Sequence, residues 1–92
     1  MSDSVLEKDL IIQNEKGLHA RAAATFVKSI ETVNAEVLVS RAGQTVSGNS
    51  IMGLMMLAAS KGTTIHLQAQ GKDAQKAIDI LTALINSKFG EN

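Results

Sequence analysis

Ninety-two residues are enough for one domain and too few for two, and a chain of this size buries roughly 60–65% of its unfolded surface without help from disulfides or metal. With 45% hydrophobic residues and only Phe26 and Phe89 as aromatics, its core has to be built from aliphatic side chains and alanine. Nine basic and nine acidic residues balance, which argues against nucleic-acid and polybasic membrane surfaces, and the absence of cysteine excludes thiol chemistry, disulfides and thiolate metal sites.

The opening stretch from Met1 to Leu10 is mixed and acidic, unlike a signal peptide. No apolar run approaches the ~20 residues of a membrane span, so a soluble, cytoplasmic chain with no membrane insertion is expected. Leu6 to Gln13, with Leu10, Ile11 and Ile12, reads as a strand closed by Asn14-Glu15-Lys16-Gly17. A helix follows from about Ala20 to Glu31, with Ala23, Ala24, Val27 and Ile30 near one face, and Asn34 breaks it. Ala35 to Ser40 places Ala35, Val37 and Val39 on one face of a second strand. Arg41-Ala42-Gly43 then turns the chain into a short third strand, Gln44 to Ser47.

Ser50 precedes an apolar segment, Ile51 to Ala59, that fits a short second helix ended at Gly62. Thr63 to Gln70 alternates, with Ile65, Leu67 and Ala69 inward and Thr64, His66, Gln68 and Gln70 outward, as in a half-buried strand. Gly71-Lys72-Asp73 leads into a third helix whose apolar stripe is Ala74, Ala77, Ile78, Leu81, Leu84 and Ile85, with Phe89 closing its end. The order β-α-β-β-α-β-α, with polar-faced strands, predicts an α/β (α+β) open-faced two-layer sandwich. Residues 1–92 read as a single domain without repeat or linker.

The segment Gly17-Leu18-His19-Ala20-Arg21-Ala22-Ala23-Ala24 carries the chemistry. Gly17 lets the backbone turn, and the alanines favour a helix starting within a residue of His19. The first N–H groups of such a helix lack internal partners and can bind a phosphoryl group held on the imidazole. Arg21 can offer a charged fork to the same oxygens, and the helix dipole disfavours imidazolium, which leaves His19 a neutral nucleophile near pH 7. The simpler reading makes His19 a polar boundary residue, because a lone His–x–Arg has little specificity.

A wider match favours the first reading. Gly17-Leu18-His19-Ala20-Arg21-Ala22-Ala23 resembles the active-site segment of the HPr family, the histidine-containing phosphocarriers of the bacterial phosphotransferase system. Asn49-Ser50-Ile51-Met52-Gly53-Leu54-Met55-Met56-Leu57-Ala58, followed by Lys61-Gly62, resembles that family's second signature, around its regulatory serine. The likeness runs from about Leu6 to Phe89. It implies an antiparallel four-stranded sheet covered on one face by three helices, with the fourth strand between the first and second. It also implies phosphorylation of His19 at Nδ1, stabilisation by Arg21, regulatory phosphorylation of Ser50, and docking through Ile51, Met52 and Met55. Ala20, Ala24 and Lys28 of the first helix are assigned to the same docking surface.

The implied partners are Enzyme I as donor, enzyme II A-type components as acceptors, and a kinase/phosphorylase and regulatory proteins acting through Ser50. The carrier is expected to be a monomer, with no cofactor and no enzymatic activity of its own. Two positions depart from the family pattern: Ala22 stands where many members have proline, and Lys16 where some have asparagine. Proline in a first turn pre-sets φ, so alanine there gives an equally good helix with a less rigid entry.

Ser50 also suits a plain N-cap, and a phosphate at that helix terminus would alter the surface without unfolding the domain. Met52 and Met55 suit adaptable docking, and Leu54 and Leu57 suit the core. His66, on the polar face of its strand, reads as a solvated sheet residue, and two histidines so far apart make no metal site. The alternative function is a purely regulatory binding module of the same fold, acting through Ser50 and the Ile51/Met52/Met55 patch with His19 idle. A self-sufficient hydrolase or metal enzyme lacks the second carboxylate, cysteine or metal cluster it would need beside His19.

Overall fold

The computed structural model describes residues 5–91, and its elements follow the expected order: β1 (Leu6–Ile11), α1 (Ala20–Ser29), β2 (Glu36–Arg41), β3 (Gln44–Ser47), α2 (Ile51–Met56), β4 (Thr64–Gln70) and α3 (Ala74–Asn86). The strands form one antiparallel sheet in the order β1-β4-β2-β3, with β4 between the first two strands. Opposite residues include Leu10 and Ile65 across β1 and β4, and Val39 and Leu67 across β2 and β4. Because side chains alternate along a strand, this register gathers Leu10, Val37, Val39, Ile65, Leu67 and Ala69 on one buried face. Glu7, Asp9, Leu38, His66 and Gln68 fall on the other, which no helix among the described residues covers.

The three helices lie over the apolar face, giving the two-layer sandwich. α1 contributes Ala22, Ala23 and Phe26, α2 contributes Leu54, and α3 contributes Ala74, Ala77, Ile78, Leu81 and Ile85. Phe26 is the largest fully buried side chain, and Leu57 joins the core beside Leu54 as its sequence context suggested. Each fully buried side chain of this size stabilises the fold by about 1.5–3 kcal/mol relative to exposure.

Several boundaries differ from those read in the sequence. α1 stops at Ser29, two residues before Glu31, and its inward face is Ala22, Ala23 and Phe26, so Ala24 points to solvent. β1 ends at Ile11 and not at Gln13, because Ile12 leaves the ladder to exchange backbone hydrogen bonds with Gly62 and Thr63 (2.8 and 2.9 Å). α2 ends at Met56, short of Ala59: Ala58 takes a left-handed φ of 52°, and Arg41 Nη1 donates to the Leu57 carbonyl at 3.0 Å. β2 is displaced by one residue, and Leu84 is only partly buried at the margin of the α3 stripe. Phe89 does close the end of α3, buried against the core.

Candidate functional site

The connection between β1 and α1 is pinned to the segment that follows α2. Gly17 has φ +64°, and Leu18 donates its N–H to the Ala59 carbonyl at 2.9 Å. A Cβ on Gly17 would lie 2.3 Å from that same carbonyl oxygen, so only glycine fits. Leu18 is buried and anchors the loop, which fixes the next residue, His19, as the N-cap of α1 with extended backbone (φ −76°, ψ −179°). The first bond of the helix runs from Ala23 N–H to His19 O at 2.8 Å. The amides ahead of it have no carbonyl of the preceding turn to meet, as at any helix start. The imidazole makes no capping bond to them.

The ring is held from behind by a residue that the sequence reading missed. His19 Nε2 lies 2.6 Å from Glu91 Oε2, with the histidine side chain 26% exposed and the carboxylate 15% exposed. Asn14, wholly buried, completes the arrangement: its Nδ2 donates to Gly17 O at 2.8 Å and to Glu91 Oε1 at 2.9 Å. The Asn14 amide bond, and after it the bond from His19, hold the Glu91 carboxyl below its ordinary pKa. From the sequence alone Asn14 reads only as part of the turn that closes β1. Nothing local in Phe89-Gly90-Glu91 indicates that the chain folds back onto a residue 72 positions earlier.

Arg21 is exposed and its guanidinium hydrogen-bonds no side chain among the described residues. It borders a hollow of about 420 Å³ shared with Glu15, Lys16, Phe89, Gly90 and Glu91. A second, shallower hollow of about 200 Å³ is lined by Lys16, Leu18, His19, Ala58, Ala59 and Ser60. Lys16, which departs from the family pattern, borders both hollows. The Ala22 side chain is fully buried in the core face of α1.

Ser50, half-buried, is the N-cap of α2, and its Oγ accepts from Gly53 N–H at 2.9 Å. Ile51 and Met55 are each 40% exposed and Met52 72%. Met56, 66% exposed, extends that apolar surface. Ala20, Ala24 and Lys28 are exposed at successive turns of α1, which packs beside α2. His66 stands apart, on the uncovered face of the sheet, with Nδ1 2.6 Å from Asp9 Oδ1 and Nε2 2.7 Å from Glu7 Oε1. Because its two carboxylates sit on opposite ring nitrogens they do not converge, and no metal-holding cluster occurs among the described residues. No helix among them is long and apolar enough to cross a membrane.

A family model described as the PTS HPr component phosphorylation site matches residues 6–87. The chain belongs to the HPr family. It is 47% identical over 87 residues to the phosphocarrier protein HPr of Neisseria meningitidis serogroup A, covering 95% of this chain and 98% of that one. The HPr of Cupriavidus necator is 46% identical with the same coverage. Among solved structures, HPr-C-His from Thermoanaerobacter tengcongensis has a TM-score of 0.90 at 41% identity, covering 95% of this chain and 98% of that one. The HPr of Bacillus anthracis has a TM-score of 0.85 at 34% identity, covering 89% and 98%. The resemblance first carried by two motifs therefore holds over nearly the whole length and in three dimensions. As an HPr, this chain is a phosphoryl carrier of the bacterial phosphotransferase system and not an autonomous catalyst.

Proposed function

We propose that this carrier accepts its phosphoryl group on His19 from the phosphohistidine of Enzyme I and passes it to an enzyme II A-type component. The observation that carries the reading is the seat of His19: a partly exposed imidazole at the start of a ten-residue helix, its Nε2 engaged by Glu91 and its Nδ1 without a partner among the described residues. In each transfer the Nδ1–phosphorus bond forms as the donor's nitrogen–phosphorus bond breaks. The free amides of the α1 start and the Arg21 guanidinium then receive the phosphoryl oxygens, so catalysis is positioning and charge stabilisation.

The exposed strip of Ala20, Ala24 and Lys28 with Ile51, Met52 and Met55 serves as the docking surface for both partners. Ser50 is a regulatory phosphorylation site for a kinase/phosphorylase, at the edge of that surface. The protein acts as a cytoplasmic monomer, and residues 1–92 constitute one domain, of which the first four residues and the last lie outside those described.

Incubation with Enzyme I and labelled phosphoenolpyruvate tests this reading. One acid-labile, base-stable phosphate is expected, as for a phosphoramidate on imidazole, and His19→Ala should abolish it while the protein stays folded. Labelling of that variant, or label mapped to His66, would show the assignment to be wrong.

A further inference from the structure

We infer that Glu91 is a positioning residue for phosphoryl transfer: by accepting the Nε2 proton of His19, it holds the ring in the tautomer whose Nδ1 lone pair is free to attack phosphorus. The inference rests on His19 as the phosphoryl acceptor. It starts from the 2.6 Å contact between His19 Nε2 and Glu91 Oε2. An ionised carboxylate can only accept, and a neutral imidazole has one N–H. The ring therefore donates from Nε2, and Nδ1 carries the lone pair.

The consequence for the reaction is direct. When Nδ1 bonds to phosphorus and the donor's nitrogen–phosphorus bond breaks, the ring becomes cationic, with its proton still on Nε2 against a carboxylate. When the phosphoryl group moves on, the Nδ1–phosphorus bond breaks and the ring leaves as neutral imidazole, again in the Nε2–H form. Neither step needs a proton from water. The carboxylate behind the reactive histidine of a hydrolase triad fixes tautomer by the same logic.

Two features of the fold support a built contact. The turn that delivers Glu91 is left-handed at three successive residues, Lys88, Phe89 and Gly90 (φ 60°, 56° and 74°), and the first two are residues that disfavour such a conformation. Burial of Phe89 and the bonds Gly90 N–H to Ser87 O (3.0 Å) and Glu91 N–H to Lys88 O (2.9 Å) hold it. The second feature is Asn14, whose amide has a single workable orientation. Its Nδ2 faces two acceptors, Gly17 O and Glu91 Oε1, and the reversed amide would set oxygen against oxygen. The other charged groups around the pair are Glu15, Lys16, Arg21 and Lys88.

This arrangement makes an unusual prediction for two substitutions, Glu91→Gln and Glu91→Ala. In E91Q, Asn14 Nδ2 claims the new amide's oxygen, which turns the amide NH2 toward His19 Nε2. The ring then accepts at Nε2 and is protonated at Nδ1, where it cannot attack. In E91A the ring is unconstrained and both tautomers occur. Phosphorylation by Enzyme I should therefore fall by about threefold in E91A and by about tenfold in E91Q, a loss kept modest relative to buried triads because this pair is partly exposed. The ¹⁵N shifts of the His19 ring, measured without any phosphate, should show Nδ1 unprotonated in the wild type and protonated in E91Q.

A carboxylate that served only to latch the last turn would give the opposite order, since glutamine preserves more of a latch than alanine. E91Q transferring as fast as E91A or faster, or an unchanged ¹⁵N pattern in E91Q, overturns the inference. Failure of the wild type to label at His19 would instead refute the acceptor assignment, and the ¹⁵N measurement would still judge whether Glu91 sets the tautomer.

Discussion

Gly17→Ala perturbs the one close backbone approach on which the position of His19 depends. Alanine at φ +64° costs about 1–2 kcal/mol in conformational strain. Its Cβ would also lie 2.3 Å from Ala59 O and 2.9 Å from Ser60 Cα, both backbone atoms that cannot rotate aside. Relief requires the loop to withdraw and the 2.9 Å bond from Leu18 N–H to Ala59 O to lengthen, a steric cost of about 1–3 kcal/mol. The expected destabilisation is roughly 2–5 kcal/mol, or a Tm lower by roughly 10–30 °C for a domain of this size.

Gly43→Ala is the control. Gly43 has φ +83° but nothing within 4 Å of an added Cβ, so only the conformational cost of about 1–2 kcal/mol applies. Thermal unfolding by circular dichroism compares the two, and phosphorylation by Enzyme I is measured well below both midpoints. G17A should lose more stability than G43A and should also transfer more slowly, because Leu18 and His19 move with the loop. Equal losses of Tm, or a G17A variant that transfers at the wild-type rate, would refute the reasoning.

Arg21→Ala should slow transfer by roughly ten- to a hundredfold, the value of a charge-assisted hydrogen bond of ~1.5–3 kcal/mol, while helix content by circular dichroism is unchanged; a wild-type rate would leave the amides sufficient alone. Ser50→Asp should keep the helix, since aspartate is also a good N-cap, but raise the half-saturating concentration of Enzyme I, because the charge enters the Ile51/Met52 surface; a lowered plateau with unchanged half-saturation would locate the effect in the chemistry instead. His66 has its pKa raised by the hydrogen bond it donates to Asp9 and then by the one it donates to Glu7. A raised folded value adds stability that is fully present below the unfolded value of about 6.5 and disappears as pH rises through the folded one. The Tm advantage of wild type over His66→Gln should therefore be clear near pH 5.5–6 and shrink above it, with transfer at His19 unaffected. An advantage that grows with pH would contradict the sign.

What could be read in the sequence was what depends on local periodicity and local chemistry. Ile65, Leu67 and Ala69 alternate in β4, and Ala74, Ala77, Ile78, Leu81 and Ile85 repeat at helical spacing, so both elements and their buried faces were legible. Gly17, His19 and Arg21 lie within five residues of one another and marked a helix start, which α1 bears out at Ala20. Boundaries failed where a distant group decided them: α2 is ended by Arg41 reaching Leu57 O, 16 residues away. The sheet order came from family likeness, because periodicity gives the face of a strand and not its neighbour. Glu91 was illegible for the same reason. Its partner is remote in the chain, and the turn that brings it round uses Lys88 and Phe89 in conformations that neither residue type advertises.

These long-range ties also explain how a small open site can be well defined. The His19 segment is fixed from two directions: Leu18 N–H bonds Ala59 beyond α2, and Asn14 joins Gly17 to Glu91 beyond α3. Both ties act on backbone or on buried and partly buried groups, and 26% of the histidine side chain stays exposed. A carrier has to satisfy two opposed demands, since its histidine must be reachable by successive proteins and yet present one nitrogen in one orientation to each. Burying the imidazole would meet the second demand at the expense of the first. Under the acceptor role proposed for His19, holding the ring through Nε2 with a carboxylate that is itself 15% exposed, while 26% of the histidine side chain remains open, would meet both.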